Sequence, residues 1–305
     1  MASKESLAVR QGLIEWGVQQ AQKQPSIEEM RKSLEDLMSS TPLPSDVSVN
    51  RIQIGETPAE WVSTPTADQN RVFLFLHGGG YIIGSCKAYR DLASRLSKAT
   101  NSRVLTVEYR LAPEHQYPAA IEDAVAAYRW LVSDQGVDPS QIIIGGDSAG
   151  GGLSLATLLT LRDAGDTLPT AAVLLSPWTD MEGTGKTMET RKDVDPWLNP
   201  DQSRATPPMY IGNLDRRHPL VSPIYADLQG LPPMLVHVGN DEILLDDSVR
   251  LVERAEVAGV EVTFKIFEDM WHVFHAFAAS VPEAQEAINE IGNYVTKKLE
   301  AIEIP

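Results

Sequence analysis

The chain has 305 residues, 43% of them hydrophobic and 22% charged, the composition of an ordinary globular protein. Its 42 acidic side chains against 26 basic ones give a net charge of −16, which repels phosphate backbones and anionic lipid and argues against nucleic-acid or membrane-surface partners. A single cysteine, Cys86, excludes an intramolecular disulfide and a cysteine-rich zinc site.

Residues Met1 to Gln24 lack the apolar core of a secretory signal, and no run reaches about 18 consecutive apolar residues. The expectation is a cytoplasmic protein without a transmembrane helix. From Leu7 to about Ser39 the pattern is helical and amphipathic, with Met30, Leu34, Leu37 and Met38 at helical spacing. Pro25 and Ser26 interrupt it, and Ser26 with Glu29 forms the signature of a capping box for a second helix. Residues 1–45 are therefore expected to be a helical segment set apart from the rest of the chain.

Strands begin after Pro44. Val47–Val49 and Arg51–Ile54 alternate as a half-exposed strand does, whereas Val72–Leu76 is the continuous apolar run of a strand buried on both faces. Further strands are expected at Arg103–Val107, Gln141–Ile144, Ala171–Leu175, Met234–Val238 and Val262–Phe267. Helical patterns alternate with them at Tyr89–Ala99, Pro118–Ser133, Gly151–Ala164, Asp247–Ala258 and Glu283–Leu299. This succession predicts an α/β fold, a mostly parallel sheet with helices on both faces. The stretch from Asp180 to Pro232 holds no strand pattern. It reads as short helices and loops, and with the N-terminal helices it is expected to cover the carboxyl ends of the strands, where open α/β sheets bind ligands.

Gly146-Asp147-Ser148-Ala149-Gly150 sits between an expected strand and an expected helix. A sharp strand-to-helix turn lifts the serine oxygen above the sheet, and glycines two residues either side relieve the crowding this causes. Ser148 is the expected nucleophile. His77-Gly78-Gly79-Gly80 comes after the strand at 72–76. Bare backbone there suits an oxyanion, which needs aligned N–H donors without obstructing side chains. The expected donors are Gly79, Gly80 and Ala149, with His77 structural. No Lys-Ser/Thr succeeds the glycines, which argues against a P-loop.

A base for Ser148 belongs on a loop after a late strand. His272 meets this condition, beyond Val262–Phe267, and is preferred to His275, which the pattern puts in the next helix. His237 falls inside a strand and is expected to be a buried structural histidine. The orienting acid belongs in the turn after Met234–Val238, which leaves Asp241 and Glu242; residue chemistry alone does not choose between them. Asp246 and Asp247 read as charges of a helix start.

With these motifs in order, the chain resembles the bacterial hormone-sensitive-lipase-like carboxylesterases of the α/β-hydrolase superfamily. The resemblance runs from about Val72 to Phe277. It includes His77–Tyr81, Tyr109–Glu114, Tyr117–Ala120, Gly146–Gly151, Ser176-Pro177-Trp178, Ser222-Pro223, Leu231–Pro233 and His272. In that family the acid opens an Asp-Pro-Leu-x-Asp segment about thirty residues before the histidine. Here Glu242–Asp246 has the same spacing and Glu242 stands thirty positions before His272, so the resemblance selects Glu242, a glutamate where the family usually has aspartate. It further implies an eight-stranded sheet and a cap made of residues 1–45 and about 180–215. It implies short-chain carboxylic ester substrates, no metal or organic cofactor, and a homodimer through the edge of Val262–Phe267. Two other uses of the scaffold, a catalytically silent small-molecule receptor and an amidase or thioesterase, are the competing readings. An interfacial lipase is disfavoured by the net charge.

Overall fold

The computed structural model describes residues 2–300. Pro25 and Ser26 cut the N-terminal helical stretch into α1 (Lys4–Lys23) and α2 (Ile27–Met38). The capping box at the second start is formed. Ser26 Oγ accepts from the Glu29 N–H at 3.2 Å, and the Glu29 carboxylate accepts from the Ser26 N–H at 2.7 Å. The two segments read at 47–54 are one strand, β1 (Ser48–Ile54).

A second strand, β2 (Thr57–Ser63), was not visible in the sequence. Gly55, at φ +60°, turns the chain directly into it, and the two strands pair antiparallel from Ile54–Thr57 outward. Pro58 and Glu60 hide it. Glu60 is buried in this strand because Arg90 grips its carboxylate at 2.6 and 2.7 Å and Arg51 reaches it at 3.2 Å. A buried, doubly paired carboxylate breaks the apolar pattern without breaking the strand.

The remaining elements keep the expected rhythm. They are β3 (Asp68–Leu76), α3 (Arg90–Thr100), β4 (Ser102–Val107), α4 (Ala119–Ser133), β5 (Ile142–Asp147), α5 (Ala149–Ala164) and β6 (Ala171–Leu175). Three short helices come next, α6 (Thr187–Thr190), α7 (Pro200–Ala205) and α8 (Pro207–Ile211). The last described elements are β7 (Met234–Gly239), α9 (Leu245–Val257), β8 (Val262–Phe267) and α10 (Pro282–Glu300). Among the described residues no strand lies between 180 and 232. His275 belongs to a short 3₁₀ turn, Phe274–Phe277, and not to the next helix.

The eight strands form one sheet in the order β1-β2-β4-β3-β5-β6-β7-β8. From β4 to β8 every pairing is parallel, and β2 runs antiparallel to both its neighbours. The two-residue period of β3 divides the core between the faces. Val72, Leu74 and Leu76 pack with α4, α5 and α9, while Phe73 and Phe75 pack with α3 and α10. Leu13 of α1 and Leu34 and Met38 of α2 join the second cluster, which anchors the N-terminal helices. Among the described residues no helix is long and apolar enough to cross a membrane.

Candidate active site

The exit of β5 carries the serine. β5 ends at Asp147 and α5 begins at Ala149, two residues earlier than expected, so Ser148 is the whole turn. Its backbone is at φ 51°, ψ −121°, a conformation that costs on the order of 1–3 kcal/mol and must be held by its surroundings. Two bonds hold it. The Ser148 N–H donates to the Leu175 carbonyl at 2.9 Å, and the Trp178 N–H donates to the Ser148 carbonyl at 2.8 Å. A Cβ at Gly146 or Gly150 would stand 2.3 or 2.0 Å from the Leu76 carbonyl oxygen, so the flanking glycines let β3 and the turn touch.

The loop after β3 lies alongside. Gly79, at φ +107°, has no room for a side chain: a Cβ would sit 2.1 Å from the Ile83 carbonyl oxygen. Its own carbonyl accepts from the N–H groups of Ile82 and Ile83 at 3.1 and 3.0 Å. Gly79 and Gly80 face the same cavity as Ser148. Ala149 is buried behind the serine as the first residue of α5, a position whose N–H has no carbonyl in its own helix. His77 is structural. Its buried ring stacks on Tyr109 at 4.3 Å, and its Nδ1 donates to the Gly78 carbonyl at 2.8 Å.

Asp147, not singled out from the sequence, joins these two pieces. Its buried carboxylate accepts from the Gly78 N–H at 2.9 Å and from the Tyr89 hydroxyl at 2.8 Å. Burial lifts its carboxyl to about 6, against the pull of these donors and of His272. Its place beside Ser148 was the only signal. Replacing Asp147 by alanine is expected to leave two buried donors unpaired and to cost about 2–5 kcal/mol of stability, read as a lowered Tm. An unchanged Tm would show that Asp147 does not brace the two loops.

Glu242 and His272 come from the exits of β7 and β8. Glu242 is fully buried, and its Oε2 lies 2.6 Å from His272 Nδ1. Its Oε1 accepts from the Ser176 hydroxyl at 2.7 Å and from the Gly239 N–H at 2.6 Å. Asp241 points elsewhere, forming a partly exposed ion pair with Arg10 of α1 at 2.8 Å. The geometry therefore pairs His272 with Glu242, the choice the residues alone left open. Burial pulls the His272 pKa down, but the hydrogen bond and charge of Glu242, with Asp195 and Asp147 behind it, outweigh that and hold it above the ordinary value of 6.5.

Ser176 is a further residue that spacing did not reveal, although its motif was visible. At φ 47° it turns its hydroxyl onto Glu242 and accepts the Val273 N–H at 3.2 Å. Val273, next to His272, is itself at φ 52°, a rare conformation for a β-branched residue. Asp246 and Asp247 do lie in the first turn of α9, yet their side chains hold the backbone of the 179–186 segment. Asp247 accepts from the Thr179 and Asp180 N–H groups at 2.9 Å each, and Asp246 from the Lys186 N–H at 2.5 Å. His237 and His275 are buried together, Nδ1 to Nε2 at 3.3 Å. Ser148, His272, Gly79 and Gly80 open onto one cavity of about 820 Å³, walled by α1, α2 and the 192–209 segment. That volume suits a small organic ligand.

A family model described as the alpha/beta hydrolase fold matches residues 73–276. An acetyl-hydrolase of Streptomyces hygroscopicus is 44% identical over 252 residues, covering 83% of this chain and 82% of that protein. An esterase of Acinetobacter venetianus is 36% identical, covering 88% of each. The crystal structure of an esterase from the bacterial hormone-sensitive lipase family superposes with a TM-score of 0.94 at 45% identity, covering 98% of this chain and all of that one.

The chain belongs to the hormone-sensitive-lipase-like α/β hydrolases.

The eight-stranded, mostly parallel sheet expected of that family is the one observed. In this hydrolase the N-terminal helices and part of the 180–215 segment wall the cavity at the serine, and Arg10 ties α1 to its neighbours there. Besides Asp241 it donates to the carbonyls of Val194 and Asp269.

Proposed function

We propose that the protein is a serine carboxylesterase that hydrolyses short-chain carboxylic esters through an acyl-serine intermediate. The observation that carries the reading is the convergence of Ser148, His272 and the glycine loop on one cavity, with His272 backed by a buried Glu242. Several relatives are named as esterases or carboxylesterases, which supports the same reaction here.

In the first step His272 takes the Ser148 proton as Ser148 attacks the ester carbonyl. The N–H groups of Gly79, Gly80 and Ala149 meet the negative oxygen of the tetrahedral intermediate, at a helix start whose partial positive charge adds to them. His272 then gives its proton to the leaving alcohol. In the second step it activates a water that releases the acid. Glu242 fixes the imidazole and stabilises its cation without taking the proton. No step in this sequence calls for a metal or an organic cofactor.

We also assign the cap to residues 1–45 and about 180–215, because both segments wall the cavity. The experiment that tests the function is a series of p-nitrophenyl esters from butyrate to laurate. The rate is expected to fall steadily with chain length; a jump above the emulsion threshold would show an interfacial lipase. A homodimer through β8 completes the proposal, supported by the place of that strand at the edge of the sheet. Light scattering is expected to return twice the chain mass of 33.4 kDa, and a monomer would exclude it.

A further inference from the structure

The cap brings to the cavity wall two carboxylates that the proposed hydrolysis leaves unused, Asp193 and Asp195, and Asp195 is the one bonded to the loop of Glu242. Asp195 lies in the loop between α6 and α7, on the wall of the cavity. It keeps some accessible surface because it faces that cavity. The protein surrounds it closely enough that burial lifts its carboxyl to about 6, while His272 and three backbone donors pull the other way.

Its two oxygens have different partners. Oδ1 accepts from the N–H groups of Trp197 and Leu198, both at 2.9 Å, which shapes the cap loop. Oδ2 accepts from the Ile243 N–H at 2.9 Å, and this bond crosses from the cap to the peptide directly after Glu242. The first pair is what any aspartate-led turn forms. The second is a long-range bond to the loop that carries the acid.

The turn also delivers Trp197. Its ring meets His272 edge to face, with centroids 6.4 Å apart at 73°, and packs against Phe277 at 5.4 Å. One side chain therefore fixes the loop that flanks the histidine and the loop that carries its acid. It also adds a negative charge close enough to favour the protonated imidazole.

We propose that Asp195 is a positioning residue for ester hydrolysis. It fastens the cap loop to the Glu242 peptide and supplies a second negative charge beside His272, so the imidazolium is fully stabilised only while the cap is seated. The inference rests on the assignment of Ser148, Glu242 and His272 as the catalytic set.

The groups around His272 come from four places: Glu242 from the β7 exit, Asp147 from the end of β5, Asp195 from the cap, and His275 from the turn beyond Val273. His275 is kept neutral by burial. The nearby cations are engaged elsewhere, Arg10 with Asp241 and Arg191 with the Asn240 side-chain oxygen. Lys192 and Asp193 precede Asp195 on the cavity wall and carry opposite charges.

His272 acts as a base only when neutral, so the acid limb of kcat/KM tracks its pKa. A nearby negative charge raises that pKa, and removing the charge lowers it. The test is the pH profile of p-nitrophenyl butyrate hydrolysis, with the rate of Ser148 labelling by an organophosphonate as a second readout. In Asp195→Asn the acid limb is expected to move down by about 0.5–1 unit, with kcat reduced roughly 10- to 100-fold by the loosened loops. Asp195→Glu, which restores the charge, is expected to bring the limb back toward its wild-type position.

An aspartate with a merely structural role would lose kcat or Tm while the limb stayed in place, and that result overturns the proposal. So does a limb that Asp195→Glu leaves at the Asp195→Asn position. Should Asp195→Asn fail to fold, titration of the His272 ring by NMR in the wild-type protein decides. Two steps are expected, the lower one coinciding with titration of the Asp195 carboxyl carbon followed in the same samples; a single step, or a lower step that follows the Asp147 carboxyl instead, sinks the idea. Wild-type protein that neither labels nor hydrolyses the ester would strike the esterase function itself, an outcome distinct from an unmoved limb.

Discussion

Ser148→Ala is expected to lower kcat on a p-nitrophenyl ester by about 10⁶-fold while leaving the fold intact. The size of the effect comes from the division of labour at the β5 exit. Without the hydroxyl no acyl intermediate forms, and the glycine loop and Ala149 can assist only a direct attack by water. Members of such a unit lose their value together, so the residual rate reflects the donors and the binding alone. The fold should survive because Ser148 is held through its backbone, by Leu175 and Trp178, and alanine keeps both bonds. A folded variant retaining more than about a hundredth of the activity would end the mechanism.

Glu242→Gln is expected to cost on the order of 10⁴-fold in kcat, and here the structure says why. Glu242 Oε1 receives two donors, Ser176 Oγ–H and Gly239 N–H, and Oε2 receives the third from His272. A glutamine has one acceptor oxygen. Turned toward Ser176 and Gly239, it presents its NH₂ to His272 Nδ1 and drives the imidazole proton onto Nε2, the nitrogen that must be free to accept one. Turned the other way, it places its NH₂ against two donors in a fully buried site. Asp241→Asn is the control. It removes only a partly exposed ion pair with Arg10, and its kcat is expected to stay within about threefold of wild type, since such pairs contribute about 1 kcal/mol or less. Steady-state kinetics on the two variants decides, and a reversed order would move the acid to Asp241.

What the sequence made legible was whatever local spacing encodes. The continuous run at 72–76 had to be an interior strand, and the glycine-flanked serine between a strand and a helix had to be a tight turn. His272 was separated from four other histidines by its place after the last strand, and from His275 by an expected helix that the structure replaces with a 3₁₀ turn. Hidden were the features whose cause lies far away in the chain. β2 looked polar until Arg90 and Arg51 neutralised Glu60. Ser176 acts on a carboxylate 66 residues away, Asp147 on a glycine 69 residues away, and Asp195 on a peptide 48 residues away. None of these partnerships has a period. The same holds for Asp246 and Asp247, correctly put at a helix start but not foreseen as clasps on the 179–186 segment.

The three donors around Glu242 come from different strand exits: Ser176 after β6, Gly239 at the end of β7, and His272 after β8. These strands are parallel neighbours, each joined to the next by a long crossover, so their pairing is late and slow compared with helix formation. A chain with its helices formed but this end of the sheet unpaired has the serine and no working histidine. Ester turnover is thus a reporter of completed sheet assembly, and during refolding it trails the recovery of helical signal.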